Sequence, residues 1–184
     1  LAEVSNPSAL FLAERSLEVP GAVVVPSLEG SRPILVEIQA LVSPTTLALP
    51  RRQSMGVDPG RVSILVAVLE KRVGLRMSGQ DLFVNVAGGV RLAEPAVDLG
   101  VALALASSYL ERPVPGDLLI FGEVGLTGEV RAVTQPELRL KEGRKLGFTR
   151  ALLAKRQKER LGEFEGLELL GVETLGQAIK KVLG

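Results

Sequence analysis

The sequence of 184 residues contains no cysteine and no histidine. The absence of cysteine excludes disulfides and thiolate nucleophiles, and the absence of histidine excludes catalytic triads built on an imidazole base. Zinc sites in proteins depend mainly on these two residues. We therefore expect no metal site, and serine paired with lysine is the main nucleophile and base that the composition permits.

Aromatic residues make up only 3% of the sequence, and tryptophan is absent. With 46% hydrophobic residues, the chain can still bury a core of Leu, Val, Ile and Ala. No apolar run approaches the roughly 18 residues of a membrane span, and no charged segment followed by an apolar stretch opens the chain. These absences predict a cytoplasmic protein without a membrane partner. Because the chain starts with Leu1, we also expect it to be a fragment of a longer protein.

Charge is distributed unevenly along the chain, although the net charge is only +1. Residues 51–76, the first basic block, hold six Lys or Arg against two acidic residues. Residues 131–160, the second basic block, hold ten against three, whereas residues 77–130 hold two against seven. Such segregation can create a basic face for nucleic acid, but ordinary solvated helix faces explain it as well.

Hydrophobic spacing and turn residues predict a mixture of helices and strands without a strict βαβ repeat. No Walker A motif and no GxGxxG motif is present. In the first half of the chain, the pattern predicts a short capped helix or docking linker over 5–15, two strands within 21–43 around a turn at 29–31, and a basic loop at 47–56. A helix over 58–74, a strand at 80–89 and a buried helix after Pro95 follow. In the remainder, it predicts two short strands within 117–133, a basic helix over 137–147, strands at 149–154 and 167–172, and a helix over 174–183.

The stretch GGVRLAEPAVDLGVALALASSYL, residues 88–110, looks like the start of an active-site helix. Pro95 suits a first helical turn, and the acids Glu94 and Asp98 suit the positive end of the helix dipole. A helix that begins just after a glycine turn is a good place for a nucleophile or an anion. The residue after the proline is nevertheless Ala96, which has no reactive group.

Other candidates for chemistry are weak. Ser107 and Ser108 lie at the far end of the same helix, without a base at a meaningful spacing. Glu94 and Asp98 are four residues apart and could share a cation or form an acid–base pair. They could equally be first-turn acids that the dipole favours.

Three long segments resemble the proteolytic domain of Lon proteases: VNVAGGVRLAEPAVDLGVALALASS, PVPGDLLIFGEVGLTGEVRAV and ELRLKEGRKLGFTRALL. Three others, EVSNPSALFLAER, EGSRPILVEIQALV and GQDLFVNVAGG, are similar to the Lon-like C-terminal domain of the RadA (Sms) family of bacterial DNA repair proteins. Together they cover essentially the whole chain.

The resemblance implies an α+β fold, with a mixed sheet flanked by helices and a left-handed β-α-β crossover, which is an exception to the usual hand. It implies that residues 1–20 are a linker segment and short helix from an ATPase core, and that residues 21–184 are the Lon-like domain. It also implies six-membered rings. A zinc finger and a RecA-like ATPase core would lie upstream, so ATP, Mg and Zn are expected there and no cofactor is expected in this chain.

The resemblance also explains why a helix start that looks like an active site has an unreactive alanine, Ala96, after its proline. In Lon proteases a serine follows the proline, and a lysine on a later helix takes its proton. Those positions hold Ala96 and Arg139 here, and Asp98 stands where the proteases have glycine. Alanine has no oxygen, and a guanidinium stays protonated at any working pH. The resemblance thus implies a pseudo-protease, with a peptidase using Ser107 or Ser108 as an improbable alternative.

As a function, the resemblance implies a DNA-binding and oligomerising domain, in a full-length protein expected to be a DNA-dependent ATPase that acts in recombination and branch migration. Phosphate contacts would give affinity for single- or double-stranded DNA independent of sequence, while scarce aromatics argue against base stacking. A pure oligomerisation scaffold is the alternative. We favour the first basic block as the DNA-binding surface, since the loop at 47–56 could reach the phosphate backbone of DNA. The predicted DNA-binding residues are Arg51, Arg52, Arg61, Lys71, Arg72, Arg76, Arg144 and Lys145.

Overall fold

The computed structural model describes residues 6–15 and 17–184. The strands are β1 (Ala22–Glu29), β2 (Arg32–Pro44), β3 (Arg52–Met55), β4 (Gln80–Val86), β5 (Leu118–Ile120), β6 (Glu123–Val124), β7 (Val130–Arg131), β8 (Arg150–Ala154) and β9 (Glu168–Val172). The helices are α1 (Pro7–Leu12), α2 (Pro59–Val68), α3 (Asp98–Leu110), α4 (Pro136–Lys145), α5 (Lys155–Leu161) and α6 (Leu175–Leu183).

Seven strands form one sheet in the order β3-β4-β2-β1-β5-β8-β9, and β6 and β7 form a separate hairpin. β2 is antiparallel to both of its neighbours, and every other pair in the large sheet is parallel. These features confirm the predicted α+β fold with a mixed sheet flanked by helices. The left-handed crossover stays a prediction.

The β1–β2 hairpin forms the centre of the sheet. Glu29 is paired with Arg32, so the turn contains only Gly30 and Ser31, and Gly30 has a φ of +63° that glycine adopts without strain. Along β1, Val23 and Val25 enter one core while Val24 enters the other. Both faces of the hairpin are therefore buried, as its nearly continuous apolar sequence requires.

The two cores lie on opposite faces of the sheet. The larger core takes Leu65 from α2, Leu103 from α3 and Ile179 from α6. The smaller core takes Leu140 from α4 and Phe148 from the segment after it. Helices thus cover both faces, and the two basic blocks predicted from the sequence are carried by helices on opposite sides of the sheet.

Helix α3 lies at the heart of the larger core, and every residue from Asp98 to Ser108 is buried. Gly100 permits this depth, because a Cβ there would lie 2.2 Å from Cγ1 of Val25. The prediction of a fully buried helix is confirmed.

Helix α2 also follows its sequence signals. The Asp58 side chain accepts a hydrogen bond from the backbone N–H of Arg61 at 3.2 Å, and Pro59 is the first helical residue. The helix continues through a π-helical turn, Leu69–Val73, and ends at Gly74, whose φ is +85°. These caps account for the predicted bounds of 58–74.

Three details of the predicted elements were wrong. Residues 52–55 of the supposed basic loop form the edge strand β3, which β4 imposes by pairing because the segment RQSM has no apolar alternation. The segment 117–133 contains three short strands instead of two. Helix α5 was not predicted, since its sequence KRQKERL buries only Gln157 and so shows no apolar stripe.

The predicted helix within 5–15 is present as α1, which Asn6 caps through the backbone N–H of Ser8 at 2.9 Å. Residues 1–5 and Ser16 of the predicted linker lie outside the described residues. Within the described residues, no helix combines the length and the apolarity needed to cross a bilayer.

Candidate functional site

The turn that precedes α3 is the position at which the sequence predicted a lost nucleophile. Pro95–Val97 form a single 3₁₀ turn, and Ala96 is 3% exposed. Gly122 fixes this turn, since its N–H donates to the carbonyl of Ala96 at 2.9 Å and its carbonyl accepts from the N–H of Leu99 at 3.0 Å. The backbone is held as a nucleophile would need, but it presents only a methyl group.

Arg139, the residue at the base position, is completely buried in α4. Its Nη1 and Nη2 donate to the two carboxylate oxygens of Glu94 at 2.5 and 3.0 Å. Its Nη1 also donates to the carbonyl of Pro26 at 3.0 Å, and its Nε donates to the carbonyl of Thr134 at 2.9 Å. The guanidinium is therefore a structural cation with four hydrogen bonds.

Glu94 is the other half of this pair. Burial opposes its charged form, but hydrogen bonds from the Arg139 guanidinium and the backbone N–H of Leu28 favour it, and the pKa of Glu94 lies below its ordinary value. Glu94 is thus ionised at neutral pH and bound on both oxygens. It is not poised to act as a general acid or base.

Asp98, two residues on the other side of Ala96, binds a different arginine. It is buried, and both of its carboxylate oxygens accept hydrogen bonds from Arg61 of α2. One oxygen also accepts from the N–H of Val124 at 3.1 Å. The hydrogen bond to Asp98 raises the pKa of Arg61 above its ordinary value.

The two ion pairs argue against one of the two interpretations, in which Glu94 and Asp98 share a cation or an acid–base role. Glu94 binds Arg139 of α4, and Asp98 binds Arg61 of α2, so the turn is connected to a helix on each face of the sheet. The sequence placed Arg61 among the predicted DNA-binding residues, whereas the structure pairs it with Asp98. Only the fold brings Arg139 and Glu94, 45 positions apart, into contact.

A cleft of about 160 Å³ opens beside this turn. The lining includes Asp58, Arg61, Glu94 and Asp98, together with apolar groups such as Leu92. Among the described residues, none that lines the cleft carries a hydroxyl or an amine, so neither a serine nor a lysine of this part of the chain reaches it.

Ser107 and Ser108 satisfy backbone groups. The hydroxyl of Ser107 accepts from the N–H of Gly21 at 2.9 Å and donates to the carbonyl of Arg112 at 2.5 Å. The hydroxyl of Ser108 accepts from the N–H of Val42 at 3.0 Å. Among the described residues, no lysine or carboxylate forms a hydrogen bond with either hydroxyl, so the relocated-nucleophile hypothesis has no support in the geometry.

In the first basic block, Arg51 is also engaged. Its Nη2 donates to Asp81 at 2.9 Å, its backbone N–H donates to the same carboxylate at 2.7 Å, and its guanidinium lies 5.6 Å from the centre of the Phe83 ring. These hydrogen bonds lower the pKa of Asp81. Arg52, the next residue, is exposed on the edge strand and has no side-chain partner among the described residues.

The other exposed cations of the first block follow the end of α2. Lys71, Arg72 and Arg76 are exposed, and within the described residues their side chains form one hydrogen bond, a long one of 3.5 Å from Nε of Arg72 to the carbonyl of Leu126. Helix α6 packs against the π-helical turn that carries Lys71 and Arg72, and α6 exposes two further lysines. We call the four residues on these two adjacent elements the basic corner: Lys71, Arg72, Lys180 and Lys181.

Sequence reasoning missed Lys180 and Lys181, which lie more than a hundred positions from Lys71. The apolar stripe of α6 was a signal, because it predicts a helix docked on the core with its lysines outward. The partner of α6 could not be read from that pattern. Val73 and Val182, one from each of the two elements, both pack against the larger core.

The second basic block contains both cations that are engaged within the fold and cations that are exposed without a partner among the described residues. Arg139 is buried, and Arg144 donates from Nη1 to the carbonyl of Glu165 at 2.7 Å with its guanidinium 5.2 Å from the Phe164 ring centre. Lys145 is exposed and has no side-chain partner among the described residues. Because α4 and α2 lie on opposite faces of the sheet, the two blocks do not share one face.

A larger cleft, of about 700 Å³, lies between the β6–β7 hairpin and α5. Two ion pairs lie in its lining, with Arg131 2.9 Å from Glu129 and Lys155 3.1 Å from Glu173. Hydrogen bonds from the hydroxyl of Thr127 and from Arg131 lower the pKa of Glu129 to about 2.

The chain is similar over its whole length to curated proteins named DNA repair protein RadA. It is 50% identical to the protein from Bacillus subtilis (strain 168) over 185 residues, and 49% identical to that from Halalkalibacterium halodurans over 187 residues. A relative from Streptococcus pyogenes serotype M3 is 50% identical over 182 residues, or 99% of this chain. The chain spans about 40% of the length of these relatives. No protein-family model matches it.

Proposed function

Because this chain belongs to the RadA family of DNA repair proteins, we propose that it acts in DNA repair as a DNA-binding and self-assembling domain without peptidase activity. The observation that carries the proposal is the state of the two dyad positions. One holds a methyl group and the other a buried arginine bound to Glu94, which supports a domain that retains the form of a Lon-like site without its chemistry.

The basic corner supports DNA as the ligand. Its four cations project from two adjacent elements, and none of them has a carboxylate partner among the described residues. Exposed lysine and arginine side chains bind phosphates of any sequence and release counterions on binding. The corner therefore replaces Arg51 and Arg61 as the phosphate-binding surface that we propose.

We extend the proposal to the rest of the protein. The domain would connect through α1 to a RecA-like ATPase core, where ATP and Mg would bind, and would form a hexameric ring with other copies. The side chain of Ser8 in α1 supports a firm connection, since its hydroxyl accepts from the N–H of Leu35 at 2.8 Å and donates to Glu142 at 3.0 Å.

Salt-dependent DNA binding tests the proposal. The double variant Lys71→Ala with Arg72→Ala should weaken binding to single- and double-stranded DNA of any sequence. The slope of log affinity against log salt should become shallower by about 0.7–0.9 for each phosphate that the variant no longer binds. Fluorescence anisotropy at several salt concentrations measures both quantities.

The matched control is Lys141→Ala with Lys145→Ala, which removes two exposed cations from α4 on the opposite face. This control should bind DNA as the wild type does. Loss of binding in the control, with no change in the corner variant, would move the interface to the second basic block.

The two alternatives give different outcomes. A pure scaffold predicts that the wild-type domain assembles but binds no DNA at low salt. A peptidase predicts cleavage of casein or a fluorogenic peptide, and turnover abolished by mutation of Ser107 or Ser108 would contradict the absence of peptidase activity.

A further inference from the structure

The large sheet ends in two edges of opposite chemical character. Within the described residues, β3 is hydrogen-bonded to a strand on one side only, and so is β9 at the other end. An uncovered strand edge presents unpaired backbone N–H and C=O groups to any strand that can lie beside it.

The β3 edge is basic and apolar. The segment 44–57 contains no acidic residue, and of its two arginines Arg51 is paired with Asp81 while Arg52 is exposed and unpaired within the described residues. Leu49 is 81% exposed and Met55 is 70% exposed. Exposed apolar residues of this size at a strand edge are typical of a surface that another chain covers.

The β9 edge is acidic. The segment 161–173 contains no lysine or arginine, and its acidic residues are all glutamates. Glu163, Glu165 and Glu168 are exposed and form no ion pair within the described residues. Arg144 lies beside this segment, but it donates to the backbone carbonyl of Glu165 and leaves the carboxylate free for another partner.

The directions and lengths of the two strands also match. Only β2 runs against the others, so β3 and β9 point the same way. A second copy placed alongside in the same orientation would bring its β9, of five residues, next to a β3 of four residues. The pair would continue the parallel sheet across the boundary.

We propose that the β3 edge of one copy binds the β9 edge of the next copy, head to tail. This inference rests on the self-assembly in the proposed function and identifies the surfaces that perform it. The contact is heterologous, so it closes into a ring or continues as an open chain according to the rotation between copies. Arg52 would face the glutamates of the neighbour, and Leu49 and Met55 would be covered.

Charge reversal tests the contact. Arg52→Glu alone and Glu168→Arg alone should each raise the dissociation constant of assembly at least about tenfold, because each places like charges across the contact. An equimolar mixture of the two variants should associate more tightly than either variant alone, since the altered edges complement each other. Sedimentation velocity over a wide concentration range measures all three samples.

The matched control is Arg32→Glu, which reverses an exposed arginine at the start of β2, in the middle of the sheet. It should assemble as the wild type does. Leu49→Asp, at a residue 81% exposed, should weaken assembly without loss of folding by circular dichroism.

The outcomes separate this inference from the proposed function. If the wild type assembles and neither reversal weakens it beyond the Arg32→Glu control, the edges are not the contact and self-assembly stands. A wild type that stays monomeric at high micromolar concentration overturns both.

Discussion

The turn before α3 and the basic corner are both rich in charge, but they use it in opposite ways. At the turn, Glu94 and Asp98 each bind one arginine, and both carboxylates are largely or fully withdrawn from water. At the corner, four cations face water without a carboxylate partner among the described residues. Charges that are paired and buried hold the fold, whereas charges left exposed are available to a ligand.

The strongest effect is expected from loss of the buried pair. Arg139→Ala should lower the free energy of unfolding by about 3–5 kcal/mol, because it leaves the Glu94 carboxylate in a partly buried site without its cation. The thermal midpoint should fall by about 10 °C. Denaturant and thermal unfolding of the purified variant measure both values.

Arg150→Ala is the matched control, since Arg150 forms a similar two-pronged pair with Asp117 but both side chains are more exposed. Arg150→Ala should lower the free energy of unfolding by no more than about 1 kcal/mol. Equal losses of unfolding free energy in Arg139→Ala and Arg150→Ala would show that burial does not distinguish a structural ion pair from a surface one in this protein.

An intermediate effect on stability is expected when the pH is lowered. The pKa values of Glu94 and Glu129 are lowered in the folded state, so their contribution to stability is complete above their unfolded pKa of about 4.5. It is lost as the pH falls, for Glu129 down to about 2. The free energy of unfolding should therefore decrease from about pH 5 toward about pH 2, and denaturant titrations at a series of pH values measure the slope.

Glu129→Gln isolates one of these groups, because it removes a titrating carboxylate while keeping its shape. The slope of stability against pH should become shallower by at most about one proton between roughly pH 4.5 and 2. An unchanged slope would show that Glu129 titrates alike in the folded and unfolded states.

The weakest effect on stability is expected at the basic corner. Lys71→Ala with Arg72→Ala should change the free energy of unfolding by no more than about 0.5 kcal/mol, since both cations are exposed and neither is paired with a carboxylate among the described residues. Calorimetry of the double variant checks this. A larger loss would mean that the corner supports the fold, and weakened DNA binding by the variant would then have a structural cause.

Most of the architecture could be predicted from the sequence because its local signals agreed with the tertiary fold. Asp58 and Pro59 mark the start of α2, and the apolar run of α3 marks a buried helix. Elements without such signals were not found. The strand β3 depends on β4 for its conformation, and the polar helix α5 has no apolar stripe to reveal it.

In the candidate site, too, some features could be predicted from the sequence and others depended on the tertiary fold. The amino acids at positions 96 and 139 are sufficient to predict, through the resemblance to Lon proteases, that the serine and lysine of the dyad are missing, because a methyl group and a guanidinium cannot do their chemistry in any fold. The availability of each charge could not be predicted in this way. The sequence predicted that Arg61 binds DNA and indicated no partner for Arg139, and both are bound by carboxylates that packing brings to them.

The amino-acid sequence alone thus determined the composition of the core and the ends of the well-capped helices, and it has Ala96 and Arg139 at the positions where the resemblance to Lon proteases would require a serine and a lysine. These depend on the intrinsic properties of residues and on neighbours within one helical turn. The tertiary fold was needed to show that Glu94 binds Arg139, that Asp98 binds Arg61 and that α6, which carries Lys180 and Lys181, packs against the turn that carries Lys71. Pairing energy depends on distance and burial, and both are set by elements that lie far apart in the chain.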